Sequence, residues 1–144
     1  MNSILFPKFD LDFNEIKNVS IPIFAKESHV CFRFLRYEVE SVDAMKKTYD
    51  MFCQNSKDII SQIEQAVFDY CNDFLLQNNE KENISFENEE MSAIVTPIAF
   101  AFYDFSDYRL INVLFDFSYD LENGIGVQIK NEKVVFVGKQ YEIL

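Results

Sequence analysis

The sequence has no tryptophan, three glycines, three prolines, three cysteines and a single histidine among its 144 residues. So little Gly and Pro excludes collagen-like and low-complexity chains. The one histidine, His29, would have to serve as base for any Ser–His or Cys–His pair, and no carboxylate sits at a spacing that would orient it. It reads as a turn or solvent-facing residue. Cys31, Cys53 and Cys71 form no CxxC and have no finger-like relation to His29, so a structural zinc site is not expected. They read as buried free thiols of a reduced, cytoplasmic protein. No glycine-rich loop precedes a helix, which leaves nucleotide phosphates without a cradle. Apolar runs fall short of the roughly 20 residues a membrane-spanning helix needs. Near the start, Pro7, Lys8, Asp10 and Asp12 interrupt any signal-peptide core. Bases are scarce as well: 13 Lys and Arg stand against 24 Asp and Glu, a net charge of −11. Phosphate backbones need clustered cations, so nucleic acid is not expected as a partner, and neither is a membrane.

What the chain does have is apolar and aromatic mass: 49% apolar residues, with 16 Phe and 7 Tyr. That suffices for one core in a single domain, 1–144. Phe9, Leu11 and Phe13 alternate with polar residues and predict a strand. Val19, Ile21 and Ile23 predict a second, which Pro22 places at a sheet edge. His29–Glu38 reads as a third, joined to the second as a hairpin through Lys26-Glu27-Ser28. Ser41 is expected to cap a helix over about 42–53, where Val42, Met45, Tyr49 and Phe52 recur at helical spacing. Ser56 is expected to cap a second over 57–77, with Ile59, Ile63, Val67, Tyr70 and Phe74 on its inner face. Strands return from Ser92: Ala93–Tyr103, Arg109–Tyr119, then a hairpin over Ile125–Lys130 and Val134–Val137. Ala99 and Ala101 are small enough to let a helix approach closely. Strands, two helices, then strands predict an α+β fold, a mainly antiparallel sheet with both helices on one face.

Carboxylates hold the remaining clues. Asp116, Asp120 and Glu122 precede Asn123-Gly124 and resemble part of a calcium loop, but a closing glutamate is missing. A turn joining two strands fits them better, with Asp120 accepting N–H bonds inside it. Between Glu80 and Glu122, ten acids face only Lys81 and Arg109. A solvated face would explain such a run, yet Tyr103, Phe105, Tyr108 and Tyr119 are interleaved with it. Rings among carboxylates suit docking onto a basic protein.

The ending Phe115–Leu144 resembles a pattern of uncharacterised bacterial domains: aromatic–Asp–x–Glu–His–Gly–x–x–Val, a hairpin, then a closing Val-Gly. Tyr119, Asp120, Glu122, Gly124, Val127 and Val137-Gly138 match it. Tyr119 replaces Trp and Asn123 replaces His, departures that speak against a catalytic motif. The resemblance implies a setting beside polymorphic or contact-dependent growth-inhibition toxins, where small acidic proteins serve as immunity factors. On that reading the protein is no enzyme and needs no metal or cofactor. It is a monomer when free, and it neutralises a cognate toxin, a basic nuclease domain. The toxin would dock on Glu87, Glu89, Glu90, Tyr103, Asp104, Asp107, Tyr108, Asp116, Asp120 and Glu122. The alternatives are a small-molecule- or calcium-binding domain and, behind it, a hydrolase using the carboxylates Asp116, Asp120 and Glu122.

Overall fold

A computed structural model describes residues 5–10, 14–37, 42–78 and 88–143, with only the backbone of Asn88 and Glu89. The elements in order are β1 (Glu15–Ile23), β2 (Lys26–Leu35), α1 (Val42–Gln54), α2 (Ser56–Gln77), α3 (Asn88–Ile94), β3 (Val95–Tyr103), β4 (Leu110–Phe117), β5 (Ile125–Lys130) and β6 (Lys133–Gly138). A 3₁₀ turn over Gln140–Glu142 follows. The six strands form one sheet in sequence order. Every neighbouring pair is antiparallel except β2 and β3, which run parallel because α1, α2 and α3 carry the chain back between them. The fold is thus α+β, a mostly antiparallel sheet with two main helices packed against it.

Period-2 alternation sorts the strands. Val30, Phe32 and Phe34 of β2, Phe100 and Phe102 of β3, and Val113, Phe115 and Phe117 of β4 are buried on the helix side. Phe52 of α1 meets Phe32, Phe100 and Phe102 at ring-centroid distances of 6.0, 5.4 and 5.4 Å. Ala99 and Ala101 fall on the opposite face, so no main helix uses the space they leave. Phe9 packs on Phe34 and Tyr49 without entering a strand, and Leu11 and Phe13 lie outside the described residues. So does Ser41. Ser56 is the first residue of α2 and is buried rather than a cap, with Asn55 before it. The buried stripe of α2 runs through Ile59, Ile63, Val67, Cys71 and Leu75, leaving Tyr70 and Phe74 half-buried beside Phe117. The short α3 occupies the start of the segment expected as strand.

Both hairpins turn on two residues in the left-handed region: Phe24-Ala25 (φ 53° and 58°) and Asn131-Glu132 (φ 49° and 66°). These are the backbone signs of the type I′ turn, whose twist suits paired strands. The first corrects the expected connection at Lys26–Ser28, which instead begins β2. It is secured from α2, where Glu64 accepts the Phe24 N–H at 2.7 Å. Two residues earlier, the Gln62 amide bridges β6, accepting the Val134 N–H at 2.9 Å and donating to the Glu132 carbonyl at 3.1 Å. One turn of α2 thereby holds diagonally opposite corners of the sheet. In a flat sheet those corners would lie more than about 30 Å apart, given strand spacings near 4.8 Å and a rise near 3.3 Å per residue. Side chains two positions apart on a helix cannot span that. The right-handed strand twist lifts both corners over the same face, and α2 lies between them.

Candidate functional site

The strand register divides the exposed charge between two ends of the sheet. Leu35, Tyr103, Leu110, Lys130 and Lys133 mark one end; Val95, Phe117, Ile125 and Gly138 mark the other. The length of β4 separates them by roughly 23 Å.

At the first end charges are largely matched. Arg109 makes a bidentate pair with Glu132, at 2.6 and 2.8 Å. Lys130 lies 4.4 Å above the Tyr108 ring, a cation–π contact. Lys133 stands 3.9 Å from Asp58. Asp104 is buried, 2% exposed, and accepts the Tyr37 N–H at 2.8 Å. The Tyr103 hydroxyl accepts from the buried Asn112 amide at 3.0 Å. Tyr37, Tyr103 and Phe105 stack nearly parallel over Ala101 and Leu110, a small second core. Tyr103, Asp104 and Tyr108 therefore have structural work here, and Asp107 alone of the predicted acids at this end is exposed.

The other end is built by the β4–β5 loop and the residues after β6. Ser118 N–H donates to Ile94 of α3, Asp120 N–H to Phe117, and Gly124 N–H to Asp120. The Asn123 amide donates to both Asp120 carboxylate oxygens, at 3.1 and 3.2 Å. The Asp120 backbone carbonyl thus accepts an N–H inside the turn, as expected, while its carboxylate accepts the Asn123 side-chain amide, and Gly124 takes the left-handed conformation (φ 59°). Gln140 then clamps the loop, its N–H on the Asn123 carbonyl and its side chain on the Phe115 carbonyl at 2.7 Å. The Asn112 amide reaches the Ile143 carbonyl at 3.0 Å.

All three glycines serve this C-terminal turn. A Cβ at Gly124 would run into the Gln140 amide, one at Gly126 would meet the Ile143 side chain at 2.6 Å, and one at Gly138 the Glu142 carboxylate at 2.8 Å. Close approach, more than positive φ, is what they supply. The turn carries the exposed Tyr141 (64%) and Glu142 to the same end as the loop, where Glu142 and Asp120 both act on Tyr70 and where Leu121 (75% exposed) and Glu122 follow Asp120 in the chain. Half-buried Tyr70 of α2 lies beneath: desolvation chiefly, then the charges of Asp120 and Glu142, raise its phenol pKa. Asp116 is exposed at the end of β4, and Lys139 is the base within the turn.

Residues 5–144 match the family described as a domain of unknown function (DUF6985). The chain belongs to this family. No curated protein and no solved structure matches it.

In this family member the ten predicted docking residues do not form one surface. Asp116, Asp120 and Glu122 gather at the acidic end. Glu90 is exposed on α3, whose last carbonyl holds Ser118 there. Tyr103, Asp104, Asp107 and Tyr108 lie at the opposite end. Glu87 lies outside the described residues, as does the side chain of Glu89. Sequence reasoning missed Leu121, Tyr141 and Glu142, whose only signal was the glycine spacing. Among the described residues no group of three or more His, Cys, Asp or Glu is placed to hold a metal ion. Two open grooves share Glu15 and Arg33 on the face away from the main helices, and neither is lined by Asp116, Asp120 or Glu122. Burial raises the Cys71 thiol to about 12 and the Cys53 thiol to about 11, far from the range of a nucleophile. No described helix is long and apolar enough to cross a membrane.

Proposed function

We propose that the protein acts by binding a basic protein at its acidic end, as an immunity-type factor that neutralises a cognate toxin, a nuclease domain, in the cytoplasm. The separation of charge carries this reading. Bases match the acids at one end of the sheet, whereas Asp116, Asp120, Glu122 and Glu142 lie toward the other, with Lys139 and with the exposed Tyr119, Leu121 and Tyr141. Such a patch offers both halves of a protein interface. Its field steers a cationic partner and speeds encounter. Its rings and Leu121 supply apolar area to bury, and aromatic anchors dominate binding energy at interfaces. The rigid turn clamped by Gln140 holds those anchors in place before contact, which lowers the ordering cost of association.

The test is binding to, and protection against, the product of an adjacent toxin-like gene. Asp116→Lys with Glu122→Lys should weaken binding by on the order of 10–100-fold, mostly through a slower on-rate. Tyr141→Ala should instead speed dissociation. Asp107→Lys, at the far end, should leave both rates unchanged. Asp104 is no surface charge and is not part of the test. Full protection by the folded Asp116→Lys/Glu122→Lys variant would sink the proposal, and sensitivity to Asp107→Lys alone would move the interface to the other end.

A further inference from the structure

Just past the end of β2 the chain presents an aromatic ring that is fixed in place yet left mostly in water. Tyr37 is 65% exposed. Its ring lies 5.8 Å from Tyr103 and 5.9 Å from Phe105, with planes within 11° and 29° of theirs. Its backbone N–H donates to the buried Asp104 carboxylate. A buried carboxylate is costly unless it is satisfied, and here it is spent on holding the segment that carries the ring. An exposed ring held in this way is a stacking surface prepared before any ligand arrives.

Tyr37 also walls an open groove, which Leu35, Arg33, Arg36 and Glu15 line as well. Glu15 faces Arg33 in the β1–β2 register, but its carboxylate pairs with Lys17 instead, at 3.7 Å. Among the described residues no carboxylate lies within ion-pair distance of Arg33. A half-buried guanidinium without an acid, in a chain of 24 acids and 13 bases, is suited to a bidentate oxyanion. Four residues separate Arg33 from Tyr37, at most about 14 Å of chain, and an arginine side chain shortens the gap from its end. One small ligand can therefore touch both. A long polyanion would be repelled by the net charge of −11, whereas a ligand with one or two charges is little affected. We propose that Tyr37 and Arg33 form a binding site for a small planar anion, an aromatic or heteroaromatic ring carrying a carboxylate or a phosphate. The ring stacks on Tyr37 and the anion takes the Arg33 guanidinium.

Backbone amide shifts from Arg33 to Tyr37, followed by NMR on the full chain, test this without any toxin, so the outcome is independent of the proposed function. The probes are adenosine monophosphate, which carries a phosphate, and indole-3-acetate, which carries a carboxylate. At least one of them should shift these amides saturably at millimolar concentration, and the one that does tells which anion the site takes. Adenosine and inorganic phosphate, each with half of the chemistry, should need at least about tenfold more. Arg33→Gln and Tyr37→Ala should each raise the half-saturating concentration by about tenfold. Tyr37→Phe should bind as the parent does, because the ring and not the hydroxyl makes the contact. Amides that neither ringed anion moves overturn the inference. So does binding unchanged in Arg33→Gln, or a response to inorganic phosphate equal to that of the better ringed probe. Circular dichroism checks the fold of each variant. Should Tyr37→Ala fail to fold, Tyr37→Leu takes its place, and unchanged binding there overturns the inference equally.

Discussion

Replacing Glu132 with Gly sets two opposing effects against each other at the β5–β6 turn. Glu132 sits at φ 66°, where an L-residue with a side chain is strained and Gly is not. Relief of that strain should stabilise the fold by about 1 kcal/mol. The same substitution removes the carboxylate that Arg109 grips at 2.6 and 2.8 Å, with side chains 27% and 14% exposed. Exposed pairs contribute about 0.2–1 kcal/mol, but a bidentate, mostly screened-from-water pair should reach about 1–2 kcal/mol. In the parent, Glu132→Gly should therefore change stability by between roughly 0 and −1 kcal/mol. In an Arg109→Ala background only the relief remains, and the same change should stabilise by about 1 kcal/mol or more. Urea denaturation of the four proteins closes a double-mutant cycle with a coupling of about 1–2 kcal/mol. If Glu132→Gly stabilises parent and Arg109→Ala alike, the ion pair contributes nothing. If it destabilises both alike, the left-handed backbone is not strained.

Gly126→Ala should cost about 1–3 kcal/mol, because its Cβ would fall 2.6 Å from Ile143 and 3.3 Å from the Gln140 backbone; faster amide exchange over Gln140–Ile143 would show the turn lifting, and a neutral effect would refute the seating. Cys71, held at about 12 when folded against a usual 9.0, keeps its proton longer in the folded state. Stability should therefore be full below pH 9 and fall as pH rises toward 12, and Cys71→Ala should flatten that decline in urea midpoints measured between pH 8 and 11. A parallel decline in both proteins would rule the thiol out as a cause.

Much of this fold was legible because hydrophobic period is a local signal. Val42, Met45, Tyr49 and Phe52 mark α1, and the alternation through β2 and β4 assigns Phe32, Phe34, Phe115 and Phe117 to the core before any contact is known. Long-range partners are not local. Asp104 reads as an exposed turn acid until Tyr37, 67 residues away, is seen to donate to it. Phe24-Ala25 carries none of the Gly or Asn that announces a left-handed turn, and its support comes from Glu64. The short α3 sits in a run of acids whose following Ala93 and Ile94 continue the strand alternation of β3. For the site, charge counting found the loop from Asp116 to Glu122 but spread the surface too widely along the chain. Tyr141 and Glu142 could have been found from Gly124, Gly126 and Gly138, since glycines within strands signal close approach by another backbone or side chain.

The hold of α2 on two opposite corners bears on how this protein comes apart. Edge strands ordinarily fray first, exchanging their amide protons by small openings that leave the rest intact. Here the β1–β2 turn and the start of β6 are tied to two residues within a single turn of α2, Glu64 and Gln62. Releasing either corner strips a backbone group of its partner, and lifting α2 to release both exposes Ile59, Ile63 and Val67. Slow exchange at Phe24 and Val134 should then match that of the central strands, so that the outermost amides report global unfolding and the two rims of the sheet belong to one cooperative unit.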